Sequence, residues 1–256
     1  MAIAGIWVVS IAMIDLRRFP DSQSLAGGAA EYFVSTVNQT LDTQNQCGVA
    51  LSGGSTPKAM FQLLASSEFS SRLDWTKIHI FWVDERSVPP DHADSNYRVT
   101  KDYLLDHIPI PQENVHRIQA ELDPKEAAQL YEATLTAWFG QNSALPEFDL
   151  ILLGMGDDGH TASLFPHTIA LAETDRWVVA NEVPKLATWR ITLTASVINS
   201  AINVAFLISG ESKARTLYSV LQGEYVPQDF PSQRIQPERG HLVWLVDSAS
   251  SSLLTI

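Results

Sequence analysis

FDLILLGMGDDGHTASLFP, residues 148–166, decides how the rest of the chain is read. Phe148 to Leu153 is a continuous apolar run of strand length, the pattern of a strand buried in a sheet. Gly154, Gly156 and Gly159 then free the backbone to turn sharply and to let a ligand approach. The turn delivers one titratable ring, His160, where strand is expected to pass into helix at a sheet edge.

Outward from this unit, apolar runs of strand length alternate with segments of helical period. Strands are expected at Cys47 to Leu51, Ile78 to Val83, Trp177 to Ala180, Arg190 to Leu193, Ile202 to Ser209 and Leu242 to Val246, and Met13 to Arg18 enters the first structured segment. Helices are expected at Ala29 to Leu41, Pro57 to Ala65, Ser95 to Asp106, Pro124 to Phe139 and Lys213 to Leu221, with another after Leu193. The longest of these carries Ala127, Leu130, Tyr131, Leu135 and Trp138 on one face. Such alternation predicts an α/β fold with a mostly parallel sheet. Neither an internal repeat nor a low-complexity linker divides the chain, so one domain over 1–256 is expected, with the residues before Met13 a non-essential extension.

At 256 residues and 45% hydrophobic, the chain can bury a full core. The single Cys47 has no partner for an internal disulfide or a cysteine-based metal site, and its expected role is to fill core space in a reducing compartment. A formal net charge of -12 argues against nucleic acid or an anionic membrane as partner, because both reward a basic face. Met1 to Ile14 is apolar, yet no Lys or Arg precedes the run, and it is too short and interrupted to span a bilayer. A cytoplasmic protein is the resulting expectation; a monomer is the default for an oligomeric state that the sequence does not give.

In an open parallel sheet ligands bind beyond the carboxyl ends of the strands. Four such ends are chemically rich: Ser52-Gly53-Gly54-Ser55-Thr56-Pro57, Asp84-Glu85-Arg86, Gly154 to His160, and Ser209 to Lys213. The first opens a helix, with Pro57 suited to the first helical position. Its free N–H groups and the helix dipole make an anion site, set against the plain reading of an ordinary capped turn. Arg86 and Lys213 follow their strands closely enough to reach the same crevice. Each alone reads as a solvated cation, and beside a phosphate loop in an acidic protein both read as ligands.

Gly154, Gly156 and Gly159 also satisfy the G-x-G-x-x-G spacing of a dinucleotide site. Asp157 and Asp158 would oppose a pyrophosphate, and Pro166 cuts short the segment where a long helix should begin. No cofactor is therefore expected. The histidines lack metal-ligand spacing, so no metal is expected either. A histidine in such a turn can simply cap or pack. Two carboxylates beside it favour proton transfer instead, since imidazole titrates near neutral pH.

Taken in order, SGGSTP (52–57), VDER (83–86), DSNYR (94–98), GMGDDGHTASLFP (154–166), WRITLT (189–194) and SGESKA (209–214) resemble the 6-phosphogluconolactonases over nearly the whole chain. Related glucosamine-6-phosphate deaminases typically carry GHIAFNEP in place of GHTASLFP. The resemblance implies a Rossmann-like α/β fold, a mostly parallel open sheet flanked by helices, no cofactor, and hydrolysis of 6-phospho-D-glucono-1,5-lactone to 6-phospho-D-gluconate. It also implies His160 as base, aided by Asp158 or Asp84. The substrate phosphate would be held by Ser52, Gly53, Gly54, Ser55, Thr56, Arg86 and Lys213, and Asn96, Gly154, Gly156, Gly159 and Arg190 would line the site. The alternatives are an amino-sugar phosphate deaminase or isomerase on the same scaffold, and a non-catalytic sugar-phosphate-binding regulator.

Overall fold

The computed structural model describes residues 14–140, 144–237 and 239–256. The apolar residues before Met13, and Met13 itself, lie outside them. Six strands form one parallel sheet: β1 (Asp15–Phe19), β2 (Cys47–Leu51), β3 (Ile78–Trp82), β5 (Leu150–Leu153), β8 (Asn203–Ile208) and β9 (His241–Asp247). Their spatial order is β1-β9-β8-β5-β2-β3. All residues of β2, β3 and β5 are buried, as expected of strands covered on both faces.

Helices α1 (Ser22–Leu41), α2 (Ser55–Leu64), α3 (Ser67–Ser70), α4 (Asn96–Tyr103), α5 (Pro124–Phe139), α6 (Ala195–Ser200) and α7 (Ala214–Gln222) connect the strands. The first starts seven residues before the expected Ala29. Asp21 caps it, accepting from the Ser24 N–H at 2.7 Å, and its two glycines do not break it. Gly28 is required by close approach, because a Cβ there would lie 2.1 Å from the Phe19 ring of β1. On α5, Ala127, Tyr131 and Leu135 are buried, whereas Leu130 turns outward and is exposed, against the expected stripe. Cys47 is fully buried, and burial pushes its thiol up, away from reactivity.

The strands expected around Trp177 and Arg190 do not extend the parallel sheet. They form β6 (Val178–Val183) and β7 (Thr188–Leu193), an antiparallel hairpin to which the short β4 (Asp84–Arg86) adds, in the order β4-β7-β6. Alternating polarity identifies a strand without identifying its partner, and three residues are too few to show a period. No helix among the described residues is long and apolar enough to cross a membrane.

The exit of β3 is locked from outside the sheet. As an edge strand it leaves Trp82 without a ladder partner on one side, and the buried Tyr131 hydroxyl fills the place. That hydroxyl accepts from the Trp82 N–H and donates to the Trp82 carbonyl, both at 2.9 Å. The lock sits two residues before Asp84, so α5 sets the point at which the chain leaves one sheet for the other. Tyr131→Phe strands both backbone groups and is expected to lower unfolding free energy by about 1–3 kcal/mol in urea titration.

Candidate active site

From β2 the chain proceeds to β3 on one side, and from β5 it proceeds to β8 and β9 on the other. The carboxyl ends of β2 and β5 therefore diverge into a crevice. Ser52 bridges its floor, donating from Oγ to the Leu152 carbonyl at 2.8 Å. Residues 52–56 then run into α2 through Gly54, whose φ of 116° is open to glycine. No side chain caps α2, so its first N–H groups point into the crevice without a capping acceptor. The helix begins at Ser55, which puts Pro57 at the third helical position instead of the expected first. Proline fits there as well, since first-turn N–H groups have no intrahelical acceptor.

Gly53 lies against Asn96, and a Cβ on it would fall 1.8 Å from the Asn96 Oδ1. Asn96 is buried and donates from Nδ2 to the Asp84 carbonyl at 3.0 Å and to its Oδ1 at 3.3 Å. Beneath them, the buried Glu85 carboxylate accepts from the N–H groups of Arg86, Asn96 and Tyr97 and from the Ser95 Oγ, at 2.7 to 3.0 Å. Burial pushes the Glu85 carboxyl up and those hydrogen bonds pull it back, so its work is to bind β4 to the start of α4.

His160 is held by its own turn. Its Nδ1 lies 2.5 Å from the Asp158 Oδ1, and its backbone N–H donates to the same oxygen at 3.2 Å. A carboxylate can only accept, which assigns the proton to Nδ1 and leaves the Nε2 lone pair free in the neutral ring. Phe165 stacks on the imidazole, centroids 4.0 Å apart and planes inclined by 26°. Gly156 makes room for the pair, since a Cβ there would come within 2.1 Å of the ring.

The expected helix after His160 is absent. Thr161 instead donates to the Gly154 carbonyl at 2.8 Å, Ala162 is left-handed at φ 47°, and Ser163 Oγ donates to the Asp84 Oδ2 at 2.6 Å. These bonds tie the segment to β5 and β4 and replace the helical ladder. They also separate the two carboxylates that the sequence left undecided. Asp158 holds the ring directly, while both oxygens of Asp84 are engaged by Asn96 and Ser163.

Burial pushes the imidazole down to about 4. Asp84 opposes the shift, and Lys213, Arg86 and Arg190 add to it. Asp158 by itself would favour the charged ring, but its other oxygen already meets the Lys185 ammonium. The net result is a ring that is neutral at pH 7.

Positive charge gathers around it. Arg86 and Arg190 are directly opposite each other in the antiparallel β4–β7 register, an arrangement of like charges that destabilises a sheet. Among the described residues neither guanidinium forms an ion pair with a carboxylate, and Arg190 is pushed down by burial and by Arg86. Lys213 stands in a single-turn segment before α7, its Nζ 2.6 Å from the Asp157 carboxylate.

Two adjoining hollows share Asp84, Arg86, His160 and Ala162. One, of about 280 Å³, has Ser52 to Thr56, Asn96, Gly154, Gly156 and Lys213 on its walls; the other, of about 320 Å³, has Asp158, Arg190 and Lys185. Gly159 lines neither. It adopts φ 77° against Phe230, and its requirement is conformational. For Ser163 and Phe165 the sequence reading gives no contact within the site, Phe165-Pro166 serving only to set the chain apart from the deaminases, and it does not single out Lys185. The first two lie inside the quoted 148–166 stretch, whereas nothing near Lys185 in sequence hints at its place.

A family model described as glucosamine-6-phosphate isomerases/6-phosphogluconolactonase matches residues 20–244. The chain is 42% identical over 236 residues to a 6-phosphogluconolactonase of Synechocystis sp., covering 91% of this chain and 95% of that protein. It is 40% identical over 241 residues to a 6-phosphogluconolactonase of Nostoc sp., covering 93% and 97%. The solved 6-phosphogluconolactonase from Trypanosoma cruzi superposes with a TM-score of 0.84 at 28% identity, over 95% of this chain and 97% of that one.

Gly53→Ala would drive a methyl group into Asn96, whose amide is fixed by Asp84. Overpacking of this kind costs about 1–3 kcal/mol, and thermal unfolding should read the loss.

Proposed function

This chain belongs to the glucosamine-6-phosphate isomerase/6-phosphogluconolactonase family, and from that membership and the geometry of the site we propose that it hydrolyses 6-phospho-D-glucono-1,5-lactone to 6-phospho-D-gluconate. One observation carries the reading: His160, its Nδ1 held by Asp158, lines the same cleft as the glycine loop Ser52 to Thr56. The substrate phosphate rests on the N–H groups and hydroxyls of Ser52 to Thr56, with Arg86 and Lys213 supplying charge. Lys213 exchanges its Asp157 partner for the dianion. Arg190 faces the lactone ring from the second hollow and offers positive charge to the developing oxyanion.

The His160 Nε2 takes a proton from water as the water oxygen attacks C1. The tetrahedral intermediate then collapses, the C1–ring oxygen bond breaks, and the imidazolium returns the proton to that oxygen. The depressed pKa keeps the base unprotonated throughout the neutral range and makes its conjugate acid a ready donor in the second half, while it weakens the base in the first. A δ-lactone is already prone to hydrolysis, so one base and good positioning suffice. Phe165, stacked on the imidazole at 26°, occupies the place where the related deaminases carry an acidic residue, and this disfavours an amino-sugar deaminase.

Acid release from fresh 6-phosphogluconolactone, followed beside ammonia release from glucosamine 6-phosphate, tests the assignment. The wild type should exceed spontaneous hydrolysis of the lactone and release no ammonia, and His160→Ala should lose about 10²–10⁴-fold in kcat. A wild type no faster than background, or a fully active His160→Ala, would overturn it. Arg86→Ala and Lys213→Ala should mainly raise KM for the phosphorylated lactone. Equal wild-type activity on unphosphorylated gluconolactone would remove the phosphate site. Protonation of His160 abolishes the base, so kcat/KM should fall as pH drops through about 4, far below the ordinary 6.5 of imidazole.

A further inference from the structure

Lys185 lies on the turn between β6 and β7, in the short 3-10 segment Pro184–Leu186, closed by the left-handed Ala187. It lies outside the six stretches quoted above for the resemblance, and half of its side chain is exposed. Its ammonium nevertheless reaches two of the groups that hold the imidazole. It ion-pairs with the Asp158 Oδ2, on the carboxylate whose Oδ1 takes the His160 Nδ1–H, and it lies 5.0 Å from the centre of the Phe165 ring that stacks on His160.

The charged groups around His160 come from several elements. Asp84 and Arg86 belong to β4, Arg190 to β7, Lys213 precedes α7, and Asp157 and Asp158 belong to the turn of His160 itself. Asp157 is met by Lys213, and Asp84 is tied by two hydrogen bonds. Among the described residues, the only cation besides the imidazole that pairs with Asp158 is Lys185. A hydrogen-bonded carboxylate does two things to a histidine: it fixes the tautomer, and it stabilises the protonated ring. A general base needs the first and is hindered by the second at low pH.

We infer that Lys185 is a positioning residue for the base, neutralising Asp158 so that this carboxylate orients the imidazole without holding it in the charged form. The inference rests on His160 being the base. It gives the β6–β7 hairpin a part in the reaction: the turn delivers a cation to the outer face of a carboxylate whose inner face touches the imidazole.

Lys185→Met keeps the stem and removes the charge; Lys185→Gln serves as a second variant. NMR titration of the His160 ring in substrate-free protein should show its midpoint rising by about one pH unit, within the range that a newly uncompensated carboxylate produces. The acid limb of kcat/KM should move up by the same amount, with KM for the lactone at pH 7.5 little changed. Lys185→Arg should restore the wild-type midpoint. In an Asp158→Asn background, Lys185→Met should move neither quantity upward, because the carboxylate through which the lysine acts is gone. An unmoved midpoint in both Lys185→Met and Lys185→Gln overturns the inference. So does a raised KM with an unmoved acid limb, which would make Lys185 a substrate contact, or an equal upward shift in the Asp158→Asn background. The NMR midpoint is read without substrate, so a wild type inert on the lactone would sink the lactonase reading while leaving the electrostatic coupling decided on its own.

Discussion

A strand buried on both faces can carry no chemistry along its length, because every side chain it presents must pack and every backbone group must pair. β2, β3 and β5 are such strands, and an unpaired N–H or carbonyl inside them would cost about 1–3 kcal/mol. Polar and glycine residues are therefore confined to the ends. Since β2 and β5 lead the chain in opposite directions, their carboxyl ends diverge and leave the crevice into which both glycine loops open.

The second sheet turns that crevice into an asymmetric site. β4 leaves β3 at a point fixed by Tyr131, and Glu85 binds it to the start of α4. β7 then sets Arg190 opposite Arg86. Two guanidiniums facing each other weaken the hairpin sheet and favour an anion between or beside them. The overall charge of -12 does not cancel this effect. Charges separated by more than about 8 Å of saline are largely screened, so the few cations on the cleft wall dominate the field inside the cleft.

Around His160, orientation and charge are handled by different groups. Asp158 fixes the ring, Gly156 admits it, Phe165 covers one face, and burial keeps it neutral. Asp84 holds the Asn96 and Ser163 side chains and acts on the ring through space. Two carboxylates of the same kind thus differ in effect only through what their oxygens touch.

Much of this was legible in the chain. The run 148–153 and its glycine turn marked a buried strand ending at a crevice, and the order of polar strand ends marked the loops that meet there, because strand burial and turn chemistry are local properties. Gly159 was legible as a necessary glycine but not as one turned to Phe230 and away from the cleft. The helix expected after His160 was misread, since hydrogen bonds from Thr161 and Ser163 to distant strands outweigh local propensity. Which sheet β4, β6 and β7 would join, which aspartate would grip the imidazole, and that Lys185 would arrive beside it were decided only in the tertiary structure. Pairing partners and ion pairs depend on the separation of atoms brought together from segments far apart, and a separation in space is not written in the order of residues.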